Sequence, residues 1–136
     1  MATLIRYPDA NPESTSVDGF AQYADGGGGT WGAYRGSTGS SSFPDSNIIR
    51  AQIHQHPSIT NEYREMDRTV LLFDTSAMGA GATVSGATLG LVAISGTNQD
   101  DFSDSIAIVT SNPASNTNVE AADYSSLSTT LQATVK

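Results

Sequence analysis

The chain has 136 residues, a formal net charge of −8 at pH 7 and no cysteine. This length suits one domain with one hydrophobic core, and the lack of cysteine excludes both a disulfide framework and a thiolate metal site. With only six Lys and Arg residues, the chain lacks the clustered positive charge that binds phosphates of nucleic acids or anionic lipids. We therefore expect neither a nucleic acid nor a membrane among its partners.

Residues 1–16 are expected to form an extended N-terminal arm. Pro8 and Pro12 interrupt any regular hydrogen-bonded ladder, and turn-forming polar residues surround them. Residues 17–136 are expected to form a single β-sandwich domain, either complete in itself or completed by a partner chain.

Short β-prone runs separated by polar, glycine-rich turns predict an all-β fold. Alternating side chains predict a first strand over residues 17–23, and the segment 30–34 predicts a short second strand. A further strand is predicted over residues 47–55, where Pro57 follows as a terminator.

The most apolar stretch, residues 68–95, is expected to organise the core as two long strands joined by a loop. Residues 69–73 are apolar on both faces, as in the middle of a sheet pair. Gly79 and Gly81 allow the chain to turn, and a change of parity near Gly86 predicts a β-bulge.

The last third of the chain predicts a strand over residues 105–110, a helical turn over 118–124 and an edge strand over 131–135. Asn118 or Thr117 is the expected N-cap of the turn. The predicted core residues are Val70, Leu72, Leu89, Leu91, Ile106 and Ile108, with Ile49 and Ile53 across the sandwich.

Three segments of the chain carry a family resemblance. They are YPDANPESTSVDGFAQY at residues 7–23, VLLFDTSAMGAGATVSGATLGLVA at 70–93 and IVTSNPASNTNVEAADYSSLSTT at 108–130. In this order they resemble a family of jelly-roll β-sandwich domains of bacteriophage virion proteins, annotated among tail, fibre and minor structural components. Related sandwiches serve as carbohydrate-binding modules of secreted and cell-surface proteins.

The resemblance implies a jelly-roll-like antiparallel sandwich and a non-enzymatic role in a virion, as a tail or fibre component or as a capsid-decorating protein. The alternative is a carbohydrate-binding module of a cell-surface or secreted protein. On the first interpretation the protein is made in the host cytoplasm, and its partners are other virion proteins, copies of itself and, as a further option, a host surface glycan.

Self-association is expected because the family resembled continues beyond the equivalent of residue 130. A final strand without a neighbour exposes unpaired backbone groups, which a partner subunit covers. The arm and the last strand are therefore expected to contact neighbouring chains. Analogy with phage fibres and head decorations favours a trimer.

Two groups of residues are candidate ligand sites. Asp100, Asp101 and Asp104 form the densest acidic cluster, and oxygen ligands on a loop suit a structural calcium ion; a solvated acidic loop is the alternative. Trp31 and Tyr34 are candidates for stacking on a glycan; the alternative is that Trp31, together with Tyr23, belongs to the core.

Two further polar pairs have spacings that chemistry could use. His54 and His56 share a strand face at a spacing that two metal ligands can use, yet no third ligand is marked. Glu65 and Asp67 also share a strand face, as a glycosidase carboxylate pair requires, but arginines interleave with them. We predict no catalytic residue and no organic cofactor.

Overall fold

The structure is a computed structural model that describes residues 3–8, 17–44, 48–92 and 105–135. The strands are β1 Val17–Gly29, β2 Ser41–Pro44, β3 Gln52–Gln55, β4 Tyr63–Leu72, β5 Ile106–Ser111 and β6 Leu127–Val135. One α-helix, α1 Trp31–Gly36, and two 3-10 turns, Ser76–Met78 and Ala121–Ser125, complete the described elements. The expectation of a mostly antiparallel β-structure with little helix is confirmed.

The strands form two sheets. The larger sheet has four strands in the order β2-β1-β4-β3, and the smaller sheet pairs β5 with β6. Every pairing is antiparallel. The more specific expectation, a jelly-roll sandwich, stays a prediction.

β1 is one of the two central strands of the larger sheet, and it pairs with β2 on one side and with β4 on the other. Its register with β4 runs from Val17 opposite Leu72 to Ala24 opposite Glu65 and is then broken before Gly29. Gly26 and Gly28 lie inside this irregular end with φ values of 66° and 83°. These positive φ values favour glycine, so the glycine run permits the bend.

The hydrophobic core lies on one face of the larger sheet. Alternate residues of a strand share a face, and Val17 and Ala21 of β1 are buried on the same face as Val70 of β4. Val119 and Tyr124, from the segment before β6, cover this face. The core is therefore organised around β1 and the 119–125 segment.

The covering segment is held in place by a buried carboxylate. Asp123 accepts hydrogen bonds from the backbone N–H groups of Glu120, at 2.8 Å, and Ala114, at 2.9 Å. Glu120 and Asp123 form a reciprocal capping box at the start of the 3-10 turn. The turn was predicted correctly, but its cap is Glu120, not Asn118 or Thr117.

Two predicted strands differ from the structure. Residues 31–36 form α1 instead of a strand, because the Thr30 side chain accepts a hydrogen bond from Ala33 N–H and starts a helix. The strand predicted over 47–55 is limited to β3, and residues 45–47 lie outside the described part. None of the described helices is long and apolar enough to span a lipid bilayer.

The largest correction concerns the stretch 68–95. Its first part belongs to β4, but residues 79–92 contain neither helix nor strand, and each residue from 75 to 92 is exposed. The predicted bulge near Gly86 is therefore wrong. β1 occupies the place beside β4 that the second strand of the predicted hairpin would need.

The predicted core changes accordingly. Val70 is buried and Leu72 packs against the core, as expected. The remaining six divide into one partly buried residue, Ile108, and five exposed ones, namely Leu89, Leu91, Ile106, Ile49 and Ile53. The alternation of these apolar residues predicts strands, but it does not determine whether another part of the chain covers them.

Only part of the predicted N-terminal arm can be placed. Residues 3–7 have no regular secondary structure, and the Arg6 guanidinium donates a hydrogen bond to the carbonyl of Asp74 at 2.9 Å. This contact brings the start of the chain near the end of β4. Residues 9–16 lie outside the described part.

Candidate functional site

A buried aromatic cluster joins the 3-10 turn Ala121–Ser125 to the helix and the sheet. The hydroxyl of Tyr124 donates to the carbonyl of Tyr34 at 2.6 Å. Arg68 of β4 donates to the carbonyl of Tyr124 at 2.6 Å, and its guanidinium carbon lies 4.1 Å from the centroid of the Tyr124 ring. The hydroxyl of Tyr34 donates to the Asp25 carboxylate at 2.6 Å. The cluster therefore ties three parts of the chain together.

The electrostatics of this cluster indicate a structural role. Burial, followed by the hydrogen bond to Asp25, raises the pKa of Tyr34 far above its ordinary value. Burial also raises the pKa of Tyr124, against the opposing charge of Arg68. Both phenols consequently stay protonated and keep donating their hydrogen bonds at neutral pH.

The two candidate glycan-stacking residues have different environments. Tyr34 is fully buried, so its ring offers no free face to a sugar. Trp31 is 40% exposed at the start of α1, with its ring centroid 5.5 Å from that of Tyr63. The exposed aromatic side chain is thus Trp31, which packs against the partly buried Tyr63, a neighbour that the sequence did not indicate.

A row of polar side chains crosses the larger sheet on the face opposite the core. Ser41 of β2 donates to the side-chain carbonyl of Gln22 of β1 at 3.2 Å. Gln22 donates in turn to Asp67 Oδ1 of β4 at 3.0 Å. Two residues from Asp67 along β4, Glu65 Oε1 accepts a hydrogen bond of 2.6 Å from the side-chain amide of Gln52 of β3. The two carboxylates of β4 are therefore each held by one amide from a neighbouring strand.

Asp67 is the member of this row whose burial is energetically unfavourable. It is 3% exposed, and within the described part of the chain its second oxygen, Oδ2, is buried without a hydrogen-bond partner. Burial raises the pKa of Asp67, and the negative charge of Glu65 adds to the effect. The hydrogen bond from Gln22 and the positive charges of Arg50 and His54 oppose it.

The two histidines do not make a metal site with these carboxylates. His54 Nδ1 lies 3.7 Å from Glu65 Oε1 and is itself buried without a hydrogen bond, whereas His56 Nδ1 accepts from Ser58 N–H at 3.2 Å. Among the described residues, no group of three or more His, Cys, Asp or Glu side chains is placed so that it could hold a metal ion. The candidate calcium ligands Asp100, Asp101 and Asp104 lie outside the described residues.

A second type of surface contrasts with this polar row. Residues 82–92 and the two strands β5 and β6 contain no charged residue, although the whole chain has 14 Asp and Glu residues. We call these three segments the uncharged surface. Large apolar side chains are exposed on them, including Leu89 (41%), Leu91 (47%) and Leu131 (56%).

The two strands of the uncharged surface, β5 and β6, also have open edges. Among the described residues β5 and β6 pair only with each other, so each strand has one edge without a neighbour. A two-stranded sheet is only marginally stable in water, and three or more strands are usually needed. Composition alone could have revealed this surface, since it is visible as long uncharged runs in an acidic sequence.

No family model, curated protein or solved structure matches the chain.

Proposed function

We propose that the protein is a non-enzymatic assembly subunit that associates with copies of itself through the uncharged surface. The observation that carries this proposal is the pair of uncharged strands β5 and β6, which have open edges and expose Ile106 and Leu131. Apolar surface that is exposed and contiguous is typical of protein interaction sites. An unpaired strand edge is likewise a template for pairing with another chain.

Charge supports a contact at this surface over a contact elsewhere. Two copies that each carry a net charge of −8 repel each other over most of their surfaces. A contact made between segments without carboxylates avoids placing like charges directly opposite each other. The uncharged surface is therefore a part of the described chain on which two copies can meet at a small electrostatic cost.

The biological setting that we propose is a bacteriophage particle, with the protein as a tail or fibre component or a capsid-decorating protein. This part of the proposal is supported by the sequence resemblance of residues 7–23, 70–93 and 108–130. Copies of the chain and other virion proteins are then its partners, and a trimer is the expected symmetry.

Light scattering tests the proposed self-association. We expect the wild-type chain to have a mass of at least twice the monomer mass of 14.1 kDa. Leu131→Asp should shift this mass towards that of the monomer. Ile59→Asp is the matched control, because Ile59 is an exposed apolar residue outside the uncharged surface. A folded wild-type monomer at all concentrations would contradict the proposal. A version lacking residues 1–16 tests separately whether the arm contributes.

Carbohydrate binding is the second candidate function, and the exposed Trp31 is the observation that favours it. Flat aromatic faces stack on the C–H surfaces of sugar rings, and Trp31 is accessible. Binding on a glycan array that Trp31→Ala abolishes would support this function. Tyr34→Phe is the control, because Tyr34 is buried and this change leaves the surface intact.

A further inference from the structure

We propose that residues 82–92 of one copy add as a third strand to the free edge of β6 in a second copy. This inference rests on the proposed self-association and specifies which parts of the two chains pair. It also explains why a segment whose sequence predicts a core strand lies exposed on the surface.

The donor segment has a strand-forming sequence, but it pairs with no strand of the described chain. Residues 82–92 read ATVSGATLGLV, with β-branched residues and an apolar alternation that includes Leu89 and Leu91. In an extended conformation these two leucines share one face, because side chains two residues apart point the same way. The segment pairs with no strand of the described chain, and all its residues are exposed.

The acceptor is chosen by length and charge among the open edges of the described strands. β6 has nine residues, none of them charged, and it exposes Leu131. The other open edges belong to β5, which has six residues, and to β2 and β3 of the larger sheet, which have only four residues each. A strand of nine residues extends for roughly 30 Å, which the eleven-residue donor can follow over its length.

Pairing on β6 changes the stability of both partners. The β5–β6 sheet would gain a third strand, the number from which small sheets become independently stable. The donor would exchange water-exposed backbone groups for a hydrogen-bonded ladder, as in strand addition between chains. Because donor and acceptor are different surfaces, the contact is head-to-tail, and such contacts close into rings when the rotation permits. A trimeric ring is one such closure.

The absence of cysteine permits a direct test by disulfide trapping. Leu89→Cys and Leu131→Cys are made as separate variants, one carrying a tag that distinguishes its mass, and are mixed and oxidised under mild conditions. A disulfide forms readily only when the two Cα atoms approach within about 4.4–6.8 Å. We expect the mixed dimer to form at least about tenfold faster than with the control partner Ile59→Cys, since docking raises the effective concentration.

The outcomes separate this inference from the proposed function. Association of the chain with no preference for the Leu89–Leu131 pair would overturn the inference and leave self-association intact. Absence of any association would overturn both. A double variant with both cysteines in one chain is the last control. If it forms its disulfide within a monomer at every concentration, the pairing lies within one chain and the inference is wrong.

Discussion

The substitution Asp67→Asn tests the physical account of the larger sheet most sharply. The change keeps the size of the side chain and the acceptor that Gln22 uses, and it replaces the unpartnered Oδ2 with an amide group. The Asn side chain is uncharged, so the substitution removes a buried negative charge that both burial and the charge of Glu65 disfavour. We therefore expect this substitution to stabilise the protein at neutral pH.

The magnitude follows from the cost of an unsatisfied buried acceptor, which is about 1–3 kcal/mol. Asp67→Asn should raise the free energy of unfolding at pH 7 by an amount in that range. The gain depends on pH with a definite sign. Because burial raises the folded-state pKa of Asp67 above its ordinary value of 3.8, ionised Asp67 destabilises the fold above its folded-state pKa. This destabilisation disappears as the pH falls to about 3.8.

Urea unfolding followed by the fluorescence of the single tryptophan, between pH 3.5 and about pH 7.5, measures this difference. Asp74→Asn is a control of opposite sign, since hydrogen bonds from Ser76 lower the pKa of Asp74. That control should destabilise the protein at neutral pH and have less effect as the pH falls. If Asp67→Asn destabilises the protein by the same amount at every pH, the proposed burial of an unsatisfied carboxylate is refuted.

Two further predictions concern packing. Val70→Ala should lower the free energy of unfolding by about 1.5–3 kcal/mol, because Val70 is 2% exposed. In a dilute solution, Leu89→Ala should change the free energy of unfolding by less than about 0.5 kcal/mol, because Leu89 is exposed. Equal effects of the two substitutions in chemical denaturation would show that the core is misplaced. Gly39→Ala should cost more than about 1 kcal/mol, because φ is 77° there and a Cβ would collide with the carbonyl of Ala121. An unchanged thermal midpoint would contradict the close approach of these two segments.

The sequence predicted the local elements better than their packing. β1, β4, β5 and β6 were each anticipated, because alternation of apolar residues and flanking turn residues are local signals. The strand expected over residues 30–34 failed because the Thr30 cap and the short spacing to Tyr34 favour a helical turn. One capping hydrogen bond decided that element.

The core could not be assigned from apolar content alone. Residues 69–73 and 82–92 look equally suited to a core, yet only β4 finds a partner in β1. Small residues matter more than their hydrophobicity indicates: Ala21 is fully buried at the centre of the sheet, and Gly19 leaves room for Val119. Pairing between distant segments, which no local pattern encodes, determines the inside of this protein.

The polar row shows a similar division. That Glu65 and Asp67 share a face follows from their spacing on a strand. Their contacts with Gln22 and Gln52 depend on the register of three strands and could not be predicted. The burial of Asp67, which turns an ordinary surface carboxylate into a titrating group with a raised pKa, has the same origin.

Hydrogen–deuterium exchange at a series of protein concentrations tests the central claim, pairing between copies through the uncharged surface, most directly. Backbone amides paired in a strand ladder exchange slowly, and exposed unpaired amides exchange fast. The account predicts that residues 82–92 and β6 gain protection together as the concentration rises, while β1 and β4 stay equally protected throughout. Fast exchange of residues 82–92 at every concentration, with the chain remaining a monomer, would contradict the account.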